Sequence, residues 1–311
     1  MKIVERARAL ASGERRKPTS PWLLVVALLL FIGTGVLAFR DLPSIDAPPR
    51  WWLLVVAGGL GVPGIALLNS LEYRLMGKLV EHRVGGWDAM RVTVVASAAN
   101  LLPIPGAAVV RMEGLRRSGA RVRHALNATV VIGLGWVGTT AVVVGVVQAV
   151  ARPWFALAFG ASGLVLLAGA FTLVARARGV VDATRALSLL VSIETGFALT
   201  AGFKLWLTAH ALHLSCSPAQ AISLTAAAVL AAAAGLLPGG LGLREALAAA
   251  LAPAVGMPAA VGLVITAIDR VVSLVALALL AVAVIALERR YRPRAPENPD
   301  PDPQPTPEPV P

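Results

Sequence analysis

Apolar stretches of bilayer length, separated by short basic connections, organise this chain of 311 residues. The long stretches fall at 22–39, 51–71, 125–150, 154–175, 187–212 and 259–287, and a helix over each is long enough to cross a hydrocarbon core of about 30 Å. Two other stretches, 87–102 and 218–237, end at breaks in the pattern. The first break reads Asn100-Leu-Leu-Pro103-Ile-Pro105-Gly106 and is followed by Arg111 and Glu113; the second reads Gly235-Leu-Leu-Pro238-Gly239-Gly240-Leu-Gly242-Leu-Arg244-Glu245. Each is Leu-Leu-Pro, then glycine, then an arginine close to a glutamate. Proline and glycine release backbone groups from helical hydrogen bonding. Within a membrane such groups persist only where protein or a water-filled cavity covers them. The pattern therefore predicts an all-α polytopic membrane protein with two special turns, at Pro103 and Gly106 and at Pro238, Gly239, Gly240 and Gly242.

Composition and charge orient these elements. The chain is 57% hydrophobic and 14% charged, with a mean hydropathy of +0.75, where a soluble domain would carry about 25% charged residues. Basic residues gather between the stretches, as the positive-inside rule requires of cytoplasmic connections. If 87–102 crossed the membrane, Arg111, Arg116, Arg117, Arg121 and Arg123 would face outward, so 87–117 is expected to enter, turn and return on the cytoplasmic side. The same reasoning makes 218–252 a hairpin entering from outside. Of the 28 lysines and arginines, 22 then lie inside or in the hairpin from that side, Arg40, Arg50 and Arg152 lie outside, and Lys204, Arg244 and Arg270 lie at membrane depth. The result is about six spanning helices and two opposed re-entrant hairpins, with both termini cytoplasmic. The half-repeats, about 21–175 and 176–290, have opposite orientation, an inverted repeat of the kind that places transporter sites at the repeat interface. A basic segment, 1–20, precedes this domain, and a Pro-rich acidic tail, 291–311, follows it with too little apolar content to fold. The single cysteine, Cys216, is expected to be a small apolar residue.

Charges at membrane depth are the candidates for function, because burying one is costly unless it is paired or hydrated. Arg244 and Glu245 follow the second turn, and Arg111 and Glu113 hold the equivalent place after the first. Asp269 and Arg270 lie within the last apolar stretch, and Glu194 and Lys204 within 187–212. A guanidinium suits phosphate because its planar fork donates two hydrogen bonds together, so these residues suggest a site for a phosphate-bearing, partly apolar ligand. The alternative is a structural network in which Arg244, Glu245, Asp269 and Arg270 neutralise one another. Glu194 and Lys204 are ten residues apart and face different sides of one helix. No phosphate-binding loop, zinc motif or paired metal-ligand spacing occurs. No enzymatic activity, metal or cofactor is therefore expected. Gly133, Gly135, Gly160 and Gly163 read as helix-packing residues.

The second break, Leu237 to Glu245, resembles the proline, glycine-pair and Arg-Glu signature of the flippase-like family named after the transmembrane region of lysylphosphatidylglycerol synthase. The first break, from Asn100 and Pro103 to Gly106, Arg111 and Leu115, is similar to that family's earlier signature, although Ala107 and Ala108 stand where the family often carries an acidic residue. The resemblance covers roughly residues 20–290. It implies a multi-pass plasma-membrane protein that moves polar-headed lipids or lipid-linked intermediates between leaflets. The disordered tail gives no expectation of the soluble aminoacyl-transferase domain found in some members. Two alternatives stand beside transport. One is a scaffold for a lipid-modifying or cell-envelope enzyme. The other is a transferase or phosphatase using Glu245 and Asp269 with Arg244.

Overall fold

A computed structural model describes residues 47–99, 106–117, 119–234 and 242–291, and every regular element among them is helical. The elements are α1 (Trp51–Leu79), α2 (Gly86–Ala99), α3 (Gly106–Arg117), α4 (Val122–Gln148), α5 (Pro153–Arg178), α6 (Val180–Ala211), α7 (Pro218–Ala234), α8 (Leu243–Leu251) and α9 (Ala259–Tyr291). Five of them, α1, α4, α5, α6 and α9, are long and apolar enough to cross a membrane. The expected span 22–39, the basic segment 1–20, Pro103, Pro238, Gly239, Gly240 and the tail from 292 onward lie outside the described residues.

Helix α1 extends the stretch expected at 51–71 through Glu72 and Tyr73 to Leu79 without a break. Its course holds a π-helical segment, Ala57–Gly61, at the sequence Ala-Gly-Gly-Leu-Gly. This extra residue per turn marks a place where another chain segment presses on the helix. The pressing segments are α6 and α9: a Cβ at Gly61 would lie 2.8 Å from Lys204 Cδ, and one at Gly58 3.1 Å from a Val272 methyl.

The two breaks separate pairs of short helices. Helices α2 and α3 pack against each other, as do α7 and α8. Gly242 caps α8 with φ of 75°, a left-handed conformation that suits glycine and strains any side chain, as expected for that turn.

Two apolar cores are the largest among the described residues. One gathers Tyr73, Met76, Leu115, Val131 and Leu190 around α1, α3, α4 and α6. The other gathers Leu205, Leu224, Ala248 and Ile265 around α6, α7, α8 and α9. Helix α6 belongs to both. Between membrane helices there is little hydrophobic drive, so close contact through small residues does the packing. A Cβ at Gly145 would lie 2.8 Å from the Ala156 carbonyl oxygen, and one at Gly163 2.6 Å from that of Gly138, which locks α4 to α5. Gly135 meets Leu190 in the same way, whereas Gly133 faces open space and Gly160 contributes only its backbone, to Gly145. Large apolar side chains such as Leu164, Val165, Val275, Leu279 and Val282 stay exposed on α5 and α9, as lipid-facing positions would.

Candidate functional site

The placement of the ionisable residues follows from how α1 lies along α6. Arg50 N–H donates to the Ala211 carbonyl at 2.8 Å. Further along, Gly61 faces Lys204, Gly64 faces Thr200, and Leu68 packs on Gly196. The helices therefore run antiparallel in nearly constant register. Continuing that register sets Glu72 opposite Glu194. Ten residues of α6 separate Glu194 from Lys204, a rise of about 15 Å, so the buried charges fall into two clusters.

The larger cluster joins α6, α8 and α9. The Arg-Glu dipeptide on α8 faces the Asp-Arg dipeptide on α9. Arg244 Nη2 donates to Asp269 Oδ2 at 2.8 Å, and Arg270 Nη1 donates to Glu245 Oε1 at 3.0 Å. Lys204 Nζ approaches Asp269 Oδ1 at 3.1 Å from the other side. The same ammonium donates to Ser273 Oγ, whose hydroxyl donates to the Asp269 carbonyl at 2.6 Å. Asp269 and Glu245 are buried, at 0% and 1% exposure. The Arg244 side chain keeps 20% of its surface and is the most open group of the five. Among these residues three cations face two carboxylates, one positive charge in excess. Arg244 Nε and Glu245 Oε2 are buried without a hydrogen-bond partner.

The smaller cluster joins α1, α3 and α6. Arg111 Nη1 donates to Glu72 Oε2 at 3.1 Å, with the two side chains 17% and 7% exposed. The Tyr73 hydroxyl donates to the Arg111 carbonyl at 3.4 Å. Glu194, 2% exposed, is set opposite Glu72 by the register of α1 on α6. Its Oε1 is buried without a partner. Here two carboxylates face one cation, the reverse of the larger cluster.

Sequence reasoning singled out eight charged residues, and the fold sorts them. Arg244, Glu245, Asp269, Arg270 and Lys204 come together, while Arg111 and Glu194 form the second group. Glu113 turns away, its carboxylate accepting from Arg116 Nε at 2.6 Å and Nη2 at 2.9 Å near the surface. Glu194 and Lys204 have separate partners because about 15 Å of α6 lies between them. Two residues went unnoticed. Glu72 lies just past the stretch expected at 51–71, and Ser273 carried no signal in a long apolar helix. Only the antiparallel register of α1 on α6 brings Glu72 inward; the Gly-Gly-Leu-Gly run before Pro63 was the visible hint of that close approach. No group of three or more potential metal ligands exists among the described residues.

Outside the spans, Cys216 is buried at 7% exposure, and burial pushes its thiol pKa up to about 11. Its surroundings are apolar, in the core around Leu205 and Leu224, consistent with a packing residue.

Comparison with curated proteins and with solved structures finds no match. The family described as "Lysylphosphatidylglycerol synthase TM region" matches residues 20–281, an interval that contains both breaks and both charge clusters. With its all-helical fold and five helices of membrane-crossing length, the chain is a multi-pass membrane protein that belongs to the lysylphosphatidylglycerol synthase TM region family.

Proposed function

We propose that this protein is a plasma-membrane, flippase-like transporter that passes a phosphate-bearing lipid or lipid-linked intermediate between leaflets, with Arg244 receiving the headgroup. In this reading α2 with α3 and α7 with α8 are re-entrant hairpins entering from opposite sides. They belong to the two halves of an inverted repeat, and both termini are cytoplasmic. The observation that carries the reading is the positive excess of the larger cluster together with the residual exposure of Arg244. An unneutralised cation at membrane depth is costly on its own, and an anionic headgroup supplies the missing charge. The planar fork of Arg244 would take the phosphate while Lys204 keeps Asp269 compensated. The acyl or isoprenoid tails would stay in lipid against the exposed apolar faces of α5 and α9. No bond is made or broken in this function.

A scaffold for a cell-envelope enzyme is the rival, and one observation favours it: Arg244 already has a carboxylate, 2.8 Å away. The two readings separate in proteoliposomes of phosphatidylcholine and phosphatidylglycerol carrying fluorescent headgroup-labelled phosphatidylglycerol. Transport predicts that Arg244→Lys keeps the fold but slows leaflet exchange by about tenfold or more, a loss of ~1.4 kcal/mol, because the bidentate fork is gone. A closed structural network predicts that Arg244→Lys is silent and that Arg244→Ala lowers thermal stability. A silent lysine variant beside an active wild type sinks the headgroup contact.

A further inference from the structure

The smaller cluster has no part in headgroup recognition as described above, yet it buries a carboxylate with nothing to hold it. The register of α1 on α6 sets Glu194 opposite Glu72, and Arg111 gives its hydrogen bond to Glu72. Glu194 accepts no hydrogen bond among the described residues, and its Oε1 is sealed from solvent. Helix α2, packed on α1, carries Asp88 in its first turn and Arg91. Helix α4 has acids or bases only at Arg123 and His124 in its first turn, and α5 only at Arg176 and Arg178 in its last. Helix α7 has none. On α9, Asp269 and Arg270 are engaged in the other cluster, about 15 Å along α6. On α1, Arg74 and Lys78 follow Glu72 toward the helix end. Two ionised carboxylates beside one cation in a dry interior is an unstable arrangement, because like charges there suppress one ionisation.

We propose that Glu72 and Glu194 form a proton-binding site, in which one exchangeable proton rests on Glu194 while Arg111 holds Glu72. The proton comes from and returns to water. When it leaves, the Glu194 carboxylate competes with Glu72 for Arg111, and the α3 hairpin helix that carries Arg111 is pulled toward α6. Helix α6 also carries Lys204 into the larger cluster, so a shift of α6 is felt at Asp269 and Arg244. The proton site stands on its own geometry; only its link to transport rests on the headgroup reading.

Infrared difference spectroscopy of the purified protein in phosphatidylcholine and phosphatidylglycerol bilayers tests it directly. The wild type is expected to show the carbonyl stretch of a protonated carboxylic acid at neutral pH. Glu194→Gln, which mimics the protonated side chain, is expected to remove that band while leaving thermal stability at neutral pH unchanged. Glu72→Gln is expected to remove it too, because Arg111 then passes to Glu194 and ionises it. A wild type without the band, or an undiminished band in Glu194→Gln, overturns the site. In the leaflet-exchange assay, a pH gradient should alter the wild-type rate and leave Glu194→Gln indifferent. A Glu194→Gln variant that responds like the wild type overturns the link to transport. If the wild type moves no lipid at all, the headgroup reading fails and the infrared result alone decides the proton site.

Discussion

Asp269 is the residue on which the larger cluster turns, since it holds Lys204 with one oxygen and Arg244 with the other. Removing its charge leaves two cations facing each other in a buried setting. Asp269→Asn is therefore expected to destabilise the protein by about 3–5 kcal/mol, the range for breaking a buried pair from one side. The double variant Asp269→Asn with Lys204→Met should recover part of that loss, and thermal unfolding in lipid nanodiscs measures both. If Asp269→Asn unfolds at the wild-type temperature, the ion pairs are not structural. Cys216 makes the opposite forecast. With its thiol buried and its pKa near 11, almost none is thiolate at neutral pH. Maleimide should label it slowly in the folded protein and quickly in detergent-denatured protein.

At the scale of elements, the π-helical segment of α1 brings Gly61 against Lys204 and Gly58 against Val272. Gly61→Val would push a side chain into the Lys204 stem, where even a Cβ lies within 2.8 Å. Such overpacking costs about 1–3 kcal/mol, and the same change at Gly59, where a Cβ would meet nothing, should cost much less. Comparing the two variants by thermal melting separates close packing from helix propensity. Much at this scale was legible beforehand. The existence of α4, α5, α6 and α9 follows from apolar run length, although α6 begins at Val180, before the stretch expected from 187. The charge clusters were legible only in part. Arg244, Glu245, Asp269 and Arg270 stand out because each is an ion inside an apolar run. Glu72 does not, because it ends one and is followed by Arg74 and Lys78; its burial depends on the pairing of α1 with α6. Run length carries no information on which helices pair, so the partners of Lys204 and Glu194 could not be read from their positions.

For the whole molecule, the proposed orientation is testable at two connections. Arg123, near the start of α4, and Val150, which is 99% exposed beyond its end, should lie on opposite sides of the membrane. Single cysteines replacing them, in a Cys216→Ala background, should label with an impermeant maleimide from the cytoplasm for position 123 and from outside for position 150. Labelling of both from one side rules out α4 as a span. The exposed apolar surface of α5 and α9 gives their place in the membrane a physical basis, since it is suited to lipid.

Helix α6 carries an acid and a base within one apolar span, and this bears on how it would respond to an electric field. With Glu194 ionised, a rigid displacement of α6 carries opposite charges together, and the membrane potential does no net work on the pair. With Glu194 neutral, only the ammonium of Lys204 moves. Carrying one charge across the whole potential amounts to about 2.3 kcal/mol per 100 mV, and a displacement through part of it to a proportionate share. The same helix would thus be blind to voltage in one protonation state and biased by it in the other.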